Sequence, residues 1–252
     1  MLDACRFTLQ LQVLTPLAFD GPASVVSILN PTGAVLGGDR LQINVVVDPG
    51  AHAVLTTPSA TRVHRTDGAM AEQDVDLDVA ADGVLEWVPD HTIPHEGSAF
   101  RQRIRAHVGP GAALVLVDAF AVGRVARDEC WSFRHLENGI TVTDDAGRVL
   151  HDRFVLDGDR RWAALGYAEG APYVATIVVV ADGARDDLPD ALSAGLSGVA
   201  GVRGGVARLA RRGLLVRCLA DSAPALSDAV REVWGGVRRR ALGESAIDLR
   251  KY

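Results

Sequence analysis

The first two-thirds of the chain alternates apolar and polar residues, which is the pattern of β-strands that each bury one face. Three segments share one plan, in which an alternating run leads through a short turn into a second run rich in Val, Leu and Ala. They are residues 41–58, 72–89 and 101–118, with turn glycines at Gly50, Gly83 and Gly111. We interpret each segment as a β-hairpin, and their recurrence about every 30 residues predicts stacked strand pairs that bury a shared face.

Two further turns, at Glu137–Gly139 and Asp144–Gly147, are predicted to continue this meander towards residue 156. The sequence therefore predicts a mainly β fold, in which stacked antiparallel hairpins form a sandwich or a β-helix-like body over residues 1–170.

The pattern changes after about residue 170, where strand-like and helix-like segments alternate. The predicted elements are a buried strand (172–180), a short helix (188–199), a strand pair that turns at Gly213 (206–219) and an amphipathic helix capped by Ser222. Residues 171–252 are therefore expected to form a small β-α-β-β-α unit with two helices. No low-complexity linker precedes this unit, so we expect it to pack on the same core as the β body.

Charge is distributed unevenly along the 252 residues. Residues 1–200 hold 15 basic and 27 acidic side chains, whereas residues 201–252 hold 11 basic and 5 acidic ones. The C-terminal arginines alternate with apolar residues and have no stacking aromatic residues between them. This arrangement argues against a nucleic-acid partner.

Cysteine usage and hydropathy predict a cytoplasmic protein. Cys5, Cys130 and Cys218 lie far apart and form no CxxC pair, which favours a reducing compartment over a disulfide framework. The first residues lack the charged and apolar regions of a signal peptide, and no stretch approaches the roughly 20 apolar residues that span a bilayer. We therefore expect neither export nor membrane insertion.

Signatures of catalysis are mostly absent from the sequence. It contains no GxSxG elbow, no P-loop and no HExxH motif. The one close histidine pair, His91 and His95, has Pro94 between its members, which argues against a helix that carries both as metal ligands. His91 and His95 are thus weak metal candidates, with ordinary loop residues as the alternative. We expect no enzyme activity and no tightly bound cofactor.

Asp118 interrupts residues 114–122, a run that is otherwise apolar enough to be buried on both faces. An unpaired buried carboxylate at this position would cost several kcal/mol or take up a proton. Asp118 therefore either forms a structural salt bridge, for example with Arg124, or lines an internal water-filled passage. Asp39 and Asp152 are placed similarly, just before or within predicted strands.

Six short motifs make the first half of the chain recognisable. They are Gly37-Gly38-Asp39-Arg40-Leu41, Pro49-Gly50-Ala51, Leu55-Thr56-Thr57-Pro58, Arg62-Val63-His64-Arg65, Leu85-Glu86-Trp87-Val88-Pro89 and Gly123-Arg124. In order and spacing, from about residue 28 to 125, they resemble the urease accessory protein UreD family, also called UreH. The basic C-terminal helix and the strand pair before it are similar to the end of that family.

This resemblance implies a scaffold that binds apo-urease on one side and a UreF-type helical partner on the other. A UreG-type GTPase would join through the UreF-type partner. The resemblance also implies that Ni²⁺ travels transiently through an internal passage into the urease site. Such a passage needs weak ligands, because a closed set of His and Cys ligands would release Ni²⁺ slowly.

The resemblance suggests candidate residues for both roles. The polar positions expected along the passage are Asp39, Thr61, Asp118 and Asp152, with Glu86 as a weaker candidate. The expected partner contacts are His64, Arg65, Trp234 and Arg238.

Two alternatives from other classes stay open. The first is a β-sandwich carbohydrate-active enzyme that uses Glu86 and Asp118, which would require the two carboxylates about 5–9 Å apart in an aromatic-lined cleft. The aromatic content of 5% argues against a sugar-binding platform. The second is a partner-binding β protein with no nickel role, which would lack a polar path through its interior.

Overall fold

A computed structural model describes residues 2–18, 21–158, 160–182 and 186–249 of the chain. The strands are β1 (Gln12–Val13), β2 (Leu17–Ala18), β3 (Ser24–Leu29), β4 (Arg40–Val47), β5 (His52–Thr56), β6 (Thr61–Val63), β7 (Ala71–Val79), β8 (Val84–Val88), β9 (Thr92–Pro94), β10 (Ala99–Val108), β11 (Ala113–Ala121), β12 (Gly123–Arg124), β13 (Glu129–Cys130), β14 (His135–Asp144), β15 (Gly147–Asp157), β16 (Tyr173–Val180), β17 (Val202–Arg208) and β18 (Leu214–Ala220). The two α-helices are α1 (Leu188–Ser197) and α2 (Ala223–Val237), with short helical turns at Val125–Arg127, Arg160–Ala163 and Arg238–Leu242.

The strands form two large sheets and a ribbon of β12 with β13. The larger sheet has 11 strands in the order β1-β3-β5-β8-β11-β16-β18-β17, with β2, β6 and β9 attached beside this path. The smaller sheet has five strands in the order β15-β14-β10-β7-β4. Strands β4, β7, β10 and β14 are mutually parallel, and so are β3, β5, β8 and β11. This stacking resembles a β-solenoid and confirms the predicted mainly β fold with two C-terminal helices.

The pairing inside the three repeated segments differs from the prediction of antiparallel hairpins. In each segment the first strand (β4, β7 or β10) belongs to the five-stranded sheet and the second (β5, β8 or β11) belongs to the larger sheet. Each strand therefore pairs with its counterpart in the next repeat and not with its neighbour in the chain. The predicted turn at Glu137–Gly139 is also wrong, because these residues lie within β14. The turn at Asp144–Gly147 does join β14 and β15 as an antiparallel pair.

The turns that link the two sheets stack on one another in register. Gly50, Asp82 and Gly111 occupy the same position in successive turns, and all three are left-handed, with φ of 68°, 58° and 68°. Aspartate tolerates this conformation better than most residues with a side chain. A side chain at position 111 would meet the Asp82 carboxylate and would adopt a left-handed conformation, so glycine is favoured there.

The order of elements in the C-terminal unit agrees with the prediction. Ser222 caps α2 by accepting a hydrogen bond from the Ala225 backbone N–H at 3.3 Å. Strand β16 lies between β11 and β18 and is antiparallel to both, so this unit extends the larger sheet. The division of the chain at residues 170 and 171 stays a prediction. Among the described residues, no helix is both long and apolar enough to cross a membrane.

Strand β11 divides the apolar interior into layers by the alternation of its side chains. Val115 and Val117 join a cluster beneath the two helices, whereas Leu114 and Leu116 join a cluster between the two sheets. A third cluster, which includes Phe100, Phe133 and Leu136, occupies the other end of the space between the sheets. Asp118 follows the even-numbered side and therefore points between the sheets.

A polar layer between the two sheets as candidate functional site

Three amides lie side by side on the inner face of the five-stranded sheet. Gln102 of β10 is in register with Gln73 of β7 on one side and with Asn138 of β14 on the other. The Nε2 group of Gln73 donates to Gln102 Oε1 at 2.8 Å, and Gln102 Nε2 donates to Asn138 Oδ1 at 3.1 Å. Each amide occupies an inward position of its strand, where the neighbouring inward residues are apolar. The row therefore interrupts the apolar core between the two sheets.

A second polar row faces these amides from the larger sheet. Asp118 of β11, Thr176 of β16 and Arg217 of β18 are in register across three neighbouring strands. Arg217 has an exposed side chain, which pairs with Asp152 of β15 at 2.5 Å. We call these seven residues the polar layer: Gln73, Gln102, Asn138, Asp118, Thr176, Arg217 and Asp152. The layer separates the two apolar clusters that lie between the sheets.

Asp118 is the buried carboxylate at the centre of the polar layer. Gln102 Nε2 donates to its Oδ1 at 2.8 Å, and Asn138 Nδ2 donates to its Oδ2. Among the described residues, no arginine, lysine or histidine lies within 4.0 Å of this carboxylate. Arg124, the example given for a structural salt bridge to Asp118, pairs instead with Glu129.

Burial raises the pKa of Asp118 from 3.8 to about 6. The hydrogen bonds from Gln102 and Asn138 lower this pKa in part, and the nearby charge of Asp152 raises it further. Asp118 is therefore mostly ionised at neutral pH although no cation contacts it within the described part of the chain. A buried negative charge of this kind attracts a cation or a proton.

A cavity of about 60 Å³ lies beside Asp118 in the space between the sheets. Gln73 and Gln102 contribute to its wall, together with Thr61 of β6. Thr61 and Asp118, two of the residues predicted to line a passage, thus share one cavity. The volume is sufficient for several water molecules, and the wall offers the polar partners that such waters need.

The other two aspartates predicted for the passage lie outside this cavity. Asp39 precedes β4, and its Oδ2 accepts a hydrogen bond from the Leu36 backbone N–H at 2.8 Å, so it stabilises a turn. Asp152 belongs to the polar layer, where Arg217 neutralises it. The structure therefore brings Asp118 and Asp152 into one layer, whereas Asp39 is half-buried at the start of its sheet.

Glu86 lies on the opposite face of the larger sheet, beneath the helices. It accepts hydrogen bonds from His52 Nε2 at 2.5 Å, from Trp234 Nε1 and from Arg238. Burial raises the pKa of Glu86, but these three donors together hold it below the ordinary value of 4.5. Glu86 is thus half of a buried ion pair, and it does not reach the cavity that Asp118 lines.

The same network includes Trp234 and Arg238, the two residues of the C-terminal segment that are predicted as partner contacts. The two side chains are 2% and 1% exposed. Arg238 also donates through Nε to the Ser245 carbonyl at 2.6 Å, which holds the segment after α2 against the protein. Because both side chains are used inside the chain, neither is available at the surface of this structure.

The positions of Glu86 and Asp118 also exclude the carbohydrate-enzyme arrangement. In the register of β8 and β11, Glu86 is paired with Val115, which points beneath the helices. Asp118 points to the other side of the same sheet. A glycosidase requires both carboxyl groups in one cleft around the scissile bond.

The histidines do not form a common metal site. His91 Nδ1 contacts Asp90 Oδ1 at 2.9 Å, whereas the His95 ring stacks on His64 with centroids 4.8 Å apart. His91 and His95 are four positions apart in an extended segment, which separates their Cα atoms by about 13 Å. No group of three or more His, Cys, Asp and Glu side chains suited to a metal occurs in the ranges that the structure describes. His64 and Arg65 are exposed, and their role as partner contacts stays a prediction.

The three amides were not predicted from the sequence, although their signal is present in it. Inward positions along β10 read Phe, Gln, Ile, Ala and Val from residue 100 to 108, so Gln102 stands out as the one polar residue. Gln73 and Asn138 occupy the corresponding places in β7 and β14. Aligning the repeats by their parallel register, which the hairpin interpretation prevented, would have placed all three together.

Comparison with known proteins gives a consistent family. The profile described as UreD urease accessory protein matches residues 2–251. The urease accessory protein UreD of Delftia acidovorans is 33% identical over 98% of this chain and 87% of its own length. The UreD proteins of Mycolicibacterium gilvum and Streptomyces griseus are 35% and 34% identical, and the alignments cover 88% and 96% of this chain and 82% and 85% of theirs. The chain therefore belongs to the UreD family of urease accessory proteins.

Proposed function

We propose that this protein is a urease maturation factor that passes Ni²⁺ through the polar layer between its two sheets. In this proposal it binds apo-urease and a UreF-type helical partner, through which a UreG-type GTPase joins the complex. The protein itself performs no catalysis and holds no metal tightly. It acts in the cytoplasm, where the cysteines stay reduced.

One observation carries the proposal: Asp118 is a buried carboxylate that is paired with amides and contacts no cation among the described residues. An uncompensated buried charge is unfavourable. If the role of position 118 were purely structural, we would expect either a cationic partner for the aspartate or an apolar residue in its place. A transient cation supplies the missing charge. The neighbouring cavity, which Thr61 and Asp118 both line, supports a path for that cation.

The donor chemistry of the layer suits transfer more than storage. Carboxylate, amide and hydroxyl oxygens bind Ni²⁺ less strongly than imidazole or thiolate groups do. The layer contains neither histidine nor cysteine. An ion that enters it is therefore held briefly by Asp118 and released, as a conduit requires.

The partner proposal is tested by co-expression with a UreF-type protein. The two chains should elute together from a size-exclusion column as a complex that buries well over about 1,000 Å² of surface. If pull-down at low salt recovers no partner, the maturation role is wrong.

The passage is tested by Asp118→Asn in the co-expressed urease system. Asparagine keeps the volume of the side chain but removes the charge, so the complex should assemble while nickel per urease site falls several-fold. Asp78→Asn is the matched control, because Asp78 is exposed on the outer face of β7 and should leave nickel loading unchanged.

Pull-down and elemental analysis provide the two readouts. Normal nickel loading in Asp118→Asn, with the complex intact, would rule out the passage and leave a scaffold with no nickel role. Loss of the complex in this variant, but not in Asp78→Asn, would show that Asp118 serves assembly instead.

A further inference from the structure

Strand β4 is an open edge of the five-stranded sheet. It lies at the end of the strand order and, among the described elements, pairs only with β7. The corresponding edge of the larger sheet is covered, because β1 and β2 both pair with β3 in antiparallel direction. The first coil of the stack is therefore closed in one sheet and open in the other.

The free backbone groups of β4 belong to alternate residues. In a parallel pair, a strand bonds its neighbour through every second residue. The Asp39 and Val47 carbonyls accept hydrogen bonds from the side of β7 at 2.8 and 3.0 Å, so the odd-numbered residues face β7. No backbone hydrogen bond reaches the even-numbered residues from any described part of the chain. The residues whose N–H and C=O groups point outwards are Arg40, Gln42, Asn44 and Val46.

Strand β4 also lacks the features that protect exposed edges. Natural edge strands are blunted by charges, proline or bulges. Strand β15, at the other edge of the same sheet, carries five ionisable side chains in 11 residues, whereas β4 carries one in 8, Arg40 at its start. The side chain of Val46 is 71% exposed. An edge of this composition is suited to pairing with another strand.

We propose that two copies of this chain pair through β4 in antiparallel direction, around a two-fold axis at Asn44. This register joins the two five-stranded sheets into one continuous sheet. Asn44 faces its counterpart, and Gln42 faces Val46 of the second copy at both ends of the axis. Pairs of this kind exchange both backbone hydrogen bonds, which gives about six bonds within the strands. The pairing is separate from the passage between the sheets and does not depend on it.

The sequence around β4 is self-complementary in this register. Arg40 lies opposite Asp48 of the second copy, and the symmetry produces this pair of opposite charges twice. The Asn44 amides face each other on the outer side, where this residue is exposed. On the inner side Ile43 meets Val45 of the second copy, and both are half-buried. Each side chain thus meets one of compatible chemistry, which favours a second copy over an unrelated strand.

One strand pair forms a small interface, below the size of most stable complexes. We therefore expect a reversible dimer with a Kd of roughly 10–100 μM. Sedimentation equilibrium of the full chain over a range of concentrations measures this constant.

Asn44→Pro tests whether the open edge carries the contact. Proline removes the outward N–H and is tolerated on edge strands, and position 44 makes no bond to β7 that could be lost. The dimer should weaken by at least about tenfold, whereas the urea midpoint of the monomer should stay in place. Asn44→Thr is the matched control, because it keeps the N–H and should keep the dimer.

Charge reversal tests the register. Arg40→Asp or Asp48→Arg alone places like charges opposite each other, so each should weaken the dimer several-fold at low salt. The double variant Arg40→Asp/Asp48→Arg should restore it. Positions 40 and 48 of one chain lie about 27 Å apart along the strand, so this rescue occurs only between copies.

Disulfide trapping tests the position of the two-fold axis. Asn44→Cys, in a chain that also carries Cys5→Ser, places two thiols on residues whose Cα atoms lie about 5.5 Å apart. Gln42→Cys is the matched control, since position 42 is equally exposed but its two copies lie about 13 Å apart. Non-reducing electrophoresis should show a cross-linked dimer at position 44 and none at position 42.

A monomer at every concentration, or a dimer that Asn44→Pro leaves intact, would overturn the inference. Equal cross-linking at positions 42 and 44 would do the same. If the free chain is monomeric and Asn44→Pro instead prevents recovery of the UreF-type protein, the edge binds a different partner and self-pairing is wrong. The measurements on the free chain need no urease, so their failure leaves the proposed function standing.

Discussion

At the scale of single residues, Asp118 is held in a position that reduces the stability of the fold at neutral pH. Its folded pKa of about 6 lies above the ordinary value of 3.8, so the folded state binds the proton more tightly than the unfolded chain does. Its contribution to the free energy of unfolding is therefore most favourable below about pH 4 and is lost as the pH rises through about 6. The shift corresponds to about 3 kcal/mol. Such a penalty is typical of residues that are kept for function.

This penalty predicts a difference in pH dependence between the wild type and Asp118→Asn. The free energy of unfolding of the wild type, relative to the variant, should fall by about 1–2 kcal/mol between pH 5 and pH 8. Urea denaturation at several pH values measures both proteins, and the effects of other titrating groups cancel in the difference. A difference that does not vary with pH would contradict the burial of an uncompensated charge at this site.

At the scale of elements, α2 and the segment after it are anchored by the buried Arg238–Glu86 pair. Removing the arginine would leave the Glu86 charge in the interior with only His52 and Trp234 as partners. Removing one partner of a buried pair is far more destabilising than removing one partner of an exposed pair, because the remaining charge cannot be solvated.

Arg238→Met should therefore lower the free energy of unfolding by about 3–5 kcal/mol. Arg240→Met is the matched control, since Arg240 pairs with Asp187 at the surface and its loss should cost under about 1 kcal/mol. Urea denaturation compares the two variants. Equal effects would mean that the buried pair does not anchor the helix. The Arg238 variant should also release residues 244–249 to limited proteolysis.

At the scale of the whole molecule, the C-terminal unit is continuous with the β body. Strand β16 pairs with β11 along one edge, and the two helices cover Val115 and Val117 of β11. The C-terminal arginines also pair with carboxylates of the earlier part of the chain, as in Arg211 with Asp144. Some of the excess positive charge of the C-terminal unit is thus balanced by ion pairs within the chain.

This continuity predicts a single cooperative unfolding transition. Variants that retain only Trp131 or only Trp234 report by fluorescence on the β body and on α2 respectively. Their urea midpoints should coincide with each other and with that of the far-ultraviolet circular dichroism signal. Separate midpoints would show two independent domains, and a soluble, folded fragment of residues 1–170 would lead to the same conclusion.

The features that could be predicted from the sequence depend on neighbouring residues and on short motifs. Alternation predicted the strands, the change of pattern near residue 170 predicted the C-terminal unit, and six ordered motifs indicated the family. The position of Asp118 within an apolar run was also visible, because a single polar residue breaks a local pattern. These features could be predicted because each one depends on residues that lie close together in the chain.

The three-dimensional arrangement was needed to establish which strands pair and which side of a sheet each carboxylate faces. Alternation with a period of two buries one face of a strand equally well in a hairpin and in a stacked solenoid, so it could not select between them. Glu86 and Arg238 meet across 152 positions in the chain, and the amides that surround Asp118 come from other strands. Contacts of this kind depend on how distant strands align, which no local pattern of residues specifies.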